Sequence, residues 1–447
     1  MDLRDVAQEL VAKAVAAGAR AADAVVGESD GLEVAVRLGE VERVKRARER
    51  RAGLRVFVGD STAIVSTADL SSDALAEMAR DACVLARLTA PDPHAGLPDP
   101  ADLASEPPDL DLYDPEIERL EPPTALAMAR EAEAAAMAEA PEITNSEGAE
   151  CSAGGGVVGY ASSLGFAGTY AGASASLVAV PVATRNGAMQ RDSWYTTSRK
   201  LAGLESPAAI GREAARRALR RLGARQMPTC ECPVVFDPET AASLLRSLAG
   251  AIAGPALYRR ASFLLGRLGE RIASSVVTVI DDPLRRAGLA SRPFDGEGVA
   301  SKRLTVVEGG VLQSYLLDSY SARRLALRPT GHAARSAGDA PTVSPTNFYL
   351  APGTHSPEAI VASIPRGLYV TELIGFGVNH VTGDYSRGAA GLWIENGELT
   401  HAVEEVTIAG NLLEMFCNIE MVGNDLAFRS GTSSPTVKIG RMTVAGS

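Results

Sequence analysis

Apolar positions recur at helical spacing in several stretches of the chain. Residues 3–17 read as an amphipathic helix with acids and bases intermixed. Residues 72–88 place Leu75, Met78, Ala82 and Leu85 on one face, with Cys83 beside that stripe as a small core residue. An Ala/Glu-rich helix covers residues 124–140. Another covers 206–222, with Ser206 as cap, Pro207 at its first position and Gly223 as its stop. A fifth covers residues 237–254. Asp237 caps it, Pro238 opens it, and Ala241, Leu244, Leu245, Leu248 and Ile252 share a face before Gly254-Pro255 ends it.

Between these runs the period falls to two. "GLEVAVRLGEVERVKR", "GLRVFVG" and "STAIVST" read as strands, with a hairpin at Leu38-Gly39-Glu40. Gly-punctuated strands follow over residues 143–197, with an Asn186-Gly187 turn. Beyond Cys232 strands dominate, and Glu308-Gly309-Gly310 and Glu395-Asn396-Gly397 supply hairpin turns. The pattern predicts an α+β protein. A mixed α/β N-terminal half, residues 1–225, precedes a β-rich, antiparallel, barrel-like C-terminal half, residues 226–447. The Pro- and Asp-rich segment 89–123 has no period and reads as a linker or a long surface-crossing connection, with His94 in solvent.

Composition narrows the function classes. A chain of 447 residues with 46% hydrophobic and 22% charged residues has room for more than one core. Its net charge of −11 argues against nucleic acid as a partner. No apolar run is long enough for a membrane span, and the N-terminus lacks the pattern of a signal peptide. Five cysteines without regular spacing fit a reducing cytoplasm. The run "RRALRR" reads as a solvated face.

Familiar catalytic constellations are missing. No P-loop occurs, and "GFGVNH" lacks the third glycine of a dinucleotide fingerprint. In "GDYSRG" an aspartate stands where a nucleophile elbow needs glycine. Cys230-Glu231-Cys232 is too tight for a structural zinc pair, and the five histidines stand singly. The helix at 237–254 is unusual for what it lacks, since between Ser243 and Gly254 its only ionisable side chain is Arg246.

The order of the long C-terminal phrases is more specific. "FDGEGVASKRLTVVEGGVLQSYLLD", "NFYLAPG", "GLYVTELIGFGVNHVTGDYSRGAAGLWIENGELTHAVEEVTIAG" and "SPTVKIGRMTVAG" together resemble the TldD/TldE (PmbA) family. "SDGLEVAVRLGEVERVKRARERRAGLRVFVG" and "AMQRDSWYTTSRKLAGLES" extend the resemblance over nearly the whole chain. It implies a heterodimeric, zinc-dependent peptidase of the bacterial cytoplasm, cleaving unfolded or leader peptides. In the TldD type, H-E-x-x-x-H on a helix and a later cysteine hold the metal, and the Glu takes a proton from bound water. At the matching positions this chain has Arg246, Ser247 and Ala251, and no cysteine follows Asn424.

The resemblance therefore implies the TldE/PmbA type, a non-catalytic subunit without a metal or other cofactor of its own. Zinc is expected in its TldD-type partner, and a homodimer when the chain is alone. Asn379, Thr382, Asp384 and Ser386, in the Gly-rich stretch 375–391, are the expected peptide-binding residues, with a tight β-corner as the alternative role of that stretch. Two other functions compete: a stand-alone regulatory protein of the "modulator of DNA gyrase" type, and a hydrolase with an unrecognised site.

Overall fold

The computed structural model describes residues 2–446. Helix α1 (Leu3–Ala16) starts where Asp2 accepts the Arg4 N–H and buries Leu3, Val6, Leu10 and Val11. It lies across a sheet of long strands: β1 (Ala21–Arg37), β2 (Glu40–Val58), β3 (Ser61–Thr67), β4 (Ile143–Ser162), β5 (Ala167–Arg185), β6 (Ala188–Arg191) and β7 (Trp194–Ser198). The strand order is β3-β2-β1-β4-β5-β6, β7 also pairs with β5, and every pair is antiparallel. Leu38 and Gly39 turn the first hairpin with φ of 51° and 82°. The buried carboxylate of Glu133 accepts both of their N–H groups at 2.8 Å, which fixes the turn.

Helix α2 (Ser72–Leu88) buries Leu75, Met78, Ala79, Ala82, Cys83 and Ala86. Its expected stripe is thus shifted by one position at its end, since Leu85 is exposed. The segment 89–123 proves to be the surface-crossing connection. It contains the short helix α3 (Pro115–Glu118) and buries Leu110, Leu112, Ile117 and Leu120. It also bonds to the C-terminal half, with the Ala104 N–H on the Gly298 carbonyl and the Ala287 N–H on the Leu110 carbonyl. His94 is half-buried, not simply in solvent. Its carbonyl takes the Arg323 Nε–H at 2.6 Å, and its ring meets Tyr320 edge-on.

Helices α4 (Pro122–Met137) and α5 (Pro207–Leu219) pack on β4 and β5. They approach so closely that a Cβ on Gly211 would lie 2.0 Å from the Ala132 carbonyl oxygen. The arginine run that closes α5 is a solvated face only at Arg216, which is exposed. Arg217 is buried between Asp192 (3.4 Å) and Asp237 (3.6 Å) and lies over Trp194, while Arg221 pairs with Glu372 at 2.5 Å. Charge sits inside here because the acids that neutralise it come from three distant segments.

The C-terminal half begins with β8 (Cys230–Phe236), α6 (Pro238–Ile252) and α7 (Gly254–Tyr258). Short strands follow: β9 (Val279–Asp281), β10 (Leu304–Glu308) and β11 (Val311–Leu312). Next come helix α8 (Ser319–Leu325) and strands β12 (Ala333–Ala334), β13 (Thr342–Val343) and β14 (Phe348–Leu350). After α9 (Pro357–Ala362), β15 (Arg366–Ile374), β16 (Asp384–Glu395) and β17 (Glu398–Asn411) form a meander. Then α10 (Leu412–Cys417), β18 (Ile419–Val422), β19 (Thr432–Ser433) and β20 (Val437–Ala445) complete the chain.

The order β17-β16-β15-β8-β20 closes because β20 also pairs with β17, so the sheet is a barrel. One neighbouring pair, β15 with β8, runs parallel in this otherwise antiparallel ring. The inward face of α6 carries the expected Ala241, Leu244, Leu245, Leu248 and Ile252. They share a core with Phe236, Phe348, Tyr385 and Ile408, and each buried leucine contributes about 1.5–3 kcal/mol. The fold therefore seals one side of α6 and leaves Arg246 and Gly250 exposed on the other.

Candidate functional site

The N-terminus of α6 is held firmly. Asp237 Oδ1 accepts the Thr240 N–H at 2.9 Å and the Thr240 hydroxyl at 2.8 Å, and Arg217 lies on its other oxygen. Burial raises the Asp237 pKa against the pull of Arg217. A small pocket of about 150 Å³ opens here between the halves, with Trp194, Glu239 and Arg429 among its walls.

Further along, the outward face of α6 is poor in donor atoms. Ala251 is fully buried, whereas Arg246 and Gly250 are exposed and Ser247 is half-buried. The Ser247 hydroxyl turns back on its own helix, donating to the Ser243 carbonyl at 3.1 Å. Arg246 is exposed on this face. Desolvation first, and then Arg387, lower its pKa against the opposing influence of Glu239 and Tyr195. The Tyr195 hydroxyl donates to Glu239 at 3.0 Å.

A corner between β15 and β16 leans on this face. Asn379 Oδ1 accepts the Val381 N–H at 2.9 Å, and the Thr382 hydroxyl donates to Asp384 Oδ2 at 2.6 Å. Asn411 Nδ2 donates to the Thr382 carbonyl at 3.0 Å, and the Ser386 N–H to the Gly377 carbonyl at 2.7 Å. A Cβ on Gly377 would stand 1.5 Å from the Ser386 carbonyl oxygen, so glycine is required there. The corner thus uses polar groups of Asn379, Thr382 and Asp384 to hold its own shape, while Ser386 is exposed. Its apolar tips face water: Phe376 is fully exposed, and Ile374 and Val381 more than half so.

His380 joins the two parts. Its carbonyl accepts the Phe263 N–H at 2.9 Å, and its imidazole Nε2 lies 3.2 Å from where a Cβ on Gly250 would stand. The structure therefore sets His380 of the corner against Gly250 of α6, one turn along the helix from Arg246 and Ser247. Sequence reading left His380 among five scattered histidines. Its one trace was a glycine on the outward face of a helix, and that glycine gave no hint of a histidine 130 positions away.

Family models of the PmbA/TldA metallopeptidases match three successive parts of the chain: domain 1 over residues 22–86, the central domain over 115–222 and the C-terminal domain over 229–446. The chain belongs to the PmbA/TldA metallopeptidase family. Metalloprotease PmbA of Escherichia coli O157:H7 is 40% identical over 425 residues, covering 95% of this chain and 92% of the relative. The PmbA homologue of Haemophilus influenzae is 36% identical and covers 100% of this chain and 96% of its own length. A Bacteroides thetaiotaomicron structure, described as a candidate modulator of DNA gyrase, superposes with a TM-score of 0.91 at 28% identity, over 99% of this chain and 98% of the other. TldE of Thermococcus kodakarensis shares the fold, with a TM-score of 0.89 at 21% identity over 99% of this chain and 100% of the other.

The family's name implies a metal, so the donor set of α6 matters. At the three positions singled out, this PmbA/TldA member presents a guanidinium, a hydroxyl and a buried methyl. A protonated guanidinium donates only and a methyl has no lone pair. Among the described residues, no group of three or more His, Cys, Asp or Glu stands close enough to hold a metal ion. His332 is buried on Asp281 at 3.0 Å, and Cys417 is exposed at the end of α10. These residues do not fit zinc at α6.

Proposed function

We propose that this chain is the non-catalytic subunit of a two-chain, zinc-dependent peptidase of the cytoplasm, and that it completes the chamber in which a TldD-type partner cleaves unfolded or leader peptides. The reading is carried by the outward face of α6, which is open to solvent but holds no convergent metal donors. The relatives that match along the whole chain are named metalloproteases, and one partial relative, from Buchnera aphidicola, is named a TldD homologue. The partner supplies the metal and its activated water. This chain supplies shape, through the exposed face around Arg246 and the corner with Phe376 at its tip.

Extended peptides are captured well by exposed backbone edges and apolar contacts that make few sequence demands. Asn379, Thr382, Asp384 and Ser386 act in this reading by holding the corner against the peptide. The chain alone pairs with itself through the surface meant for its partner.

The test is co-purification with a chain carrying H-E-x-x-x-H, followed by elemental analysis of each subunit. We expect about one zinc in the partner and none held stoichiometrically here. Zinc held tightly by this chain alone would overturn the reading. The triple change Arg246→His, Ser247→Glu and Ala251→His should not restore activity to the isolated chain. A third ligand and the groups that orient each imidazole would still be missing. The resemblance to a candidate gyrase modulator supports a second reading, a stand-alone regulator. Failure to associate with any such partner would favour it.

A further inference from the structure

A cavity of about 530 Å³ lies where β2, β3 and the segment 89–97 meet α7, α8 and the loop before β13. Its size suits a small-molecule site. Phe57, Ile64, Pro255 and Tyr258 give it apolar walls, and three buried ionisable groups, Arg55, Glu297 and Asp318, also line it. Two of these are satisfied. Arg55 is neutralised by Asp23 and Glu297, and Glu297 accepts Arg55 on one oxygen and the Ser319 N–H, at 2.9 Å, on the other.

Asp318 differs. It is 4% exposed, and its Oδ1 takes the Ser321 N–H and hydroxyl at 2.7 and 2.5 Å. Among the described residues, no donor reaches its Oδ2. Burial raises the carboxyl's pKa against the Ser321 hydrogen bonds, and Glu297 adds to the rise, so the open oxygen gains from a donor. The Thr62 hydroxyl in the same cavity is buried and also without a partner. The cations nearby are committed or peripheral. Arg323 gives its three nitrogens to the carbonyls of His94, Leu97 and Gly96 at 2.6–3.0 Å, and Arg259 is exposed beside Tyr258.

We propose that this cavity is a binding site for a small primary ammonium with an apolar body, the ammonium donating to Asp318 Oδ2 and the body lying among Phe57, Ile64 and Tyr258. None of the residues that line it belongs to the corner. A charge-assisted hydrogen bond to a buried carboxylate contributes more than a neutral one, enough for about tenfold or more in affinity.

Calorimetry on the full chain with phenethylammonium, 2-phenylethanol and phenylacetate reads this directly. The expected result is saturable 1:1 binding of the amine, about tenfold or more tighter than the alcohol, with the acid weakest. Asp318→Asn keeps the helix cap and should abolish the preference for the amine over the alcohol. Soaking crystals with 4-bromophenethylamine gives a readout that needs no variant, since the bromine should appear in this cavity. Equal binding of amine and alcohol, preference for the acid, no saturable binding of the amine, a preference kept in folded Asp318→Asn, or bromine only elsewhere would each overturn the proposal.

Discussion

The junction between the two halves and the outward face of α6 use ionisable residues in opposite ways. At the junction Asp23, Arg55, Glu297 and Arg335 are buried together. Asp23 takes Arg55 on both oxygens at 3.0 and 2.5 Å and Arg335 at 2.6 Å, and the Tyr160 hydroxyl caps the group. Burial opposes the charge of Asp23, but the two guanidiniums hold its pKa below the ordinary value. This density of charge looks catalytic in a residue count, yet nearly every carboxylate oxygen is occupied by a neighbour. The face of α6 is its inverse, sparse in chemistry and open to solvent. Perturbed groups mark stress on a fold as readily as a reaction, and here the proposed site is the less charged region.

The contrast can be broken by substitution. Arg55→Met should have the largest effect on stability, because it leaves two acids in a low-dielectric junction with fewer partners. A loss of about 3–5 kcal/mol is expected by denaturant unfolding. A change under about 1 kcal/mol would mean that water reaches the cluster.

Asp295, two residues before Glu297, sharpens the same point through pH. Burial first, and the negative Glu297 second, push its pKa up to about 7. The folded chain therefore holds a proton there that the unfolded chain has lost above about pH 4. Stability from this group is present below about pH 4 and is lost as pH rises through about 7. Asp295→Asn removes that dependence, at a constant cost for the lost acceptor of the Ala333 N–H. The wild-type curve should fall by about 1–3 kcal/mol relative to the variant between pH 4 and 7. Parallel curves would show that Asp295 stays ionised.

The smallest effect on stability belongs to the corner between β15 and β16. Asn379→Ala removes a short local hydrogen bond on an exposed turn and should cost no more than about 1 kcal/mol. Cleavage by the assembled pair should nevertheless weaken, measured at matched concentrations of folded dimer. Unchanged cleavage would leave that residue with a turn role only.

Much of this was legible in the chain. The apolar stripe of α6, the turn glycines and the strand-rich C-terminal half are local signals, fixed by periodicity and positive φ. The closing pair of the barrel, β17 with β20, was expected only in outline, because it joins strands remote in sequence. The burial of Arg217, in the last turn of α5, was not legible because the acids that neutralise it arrive from positions 192 and 237. His380 against Gly250 and the open oxygen of Asp318 were invisible for the same reason. Each depends on which distant backbone comes within a few ångströms.

The central claim, that this chain shapes a chamber and leaves the metal chemistry to a partner, is tested most directly by one cleavage assay. An unfolded peptide is incubated with this chain alone, with a TldD-type chain alone and with the two mixed. Chelator-sensitive cleavage is expected to be strongest in the mixture and absent from this chain alone, whatever zinc is added. Chelator-sensitive turnover by the rigorously purified chain on its own would contradict it.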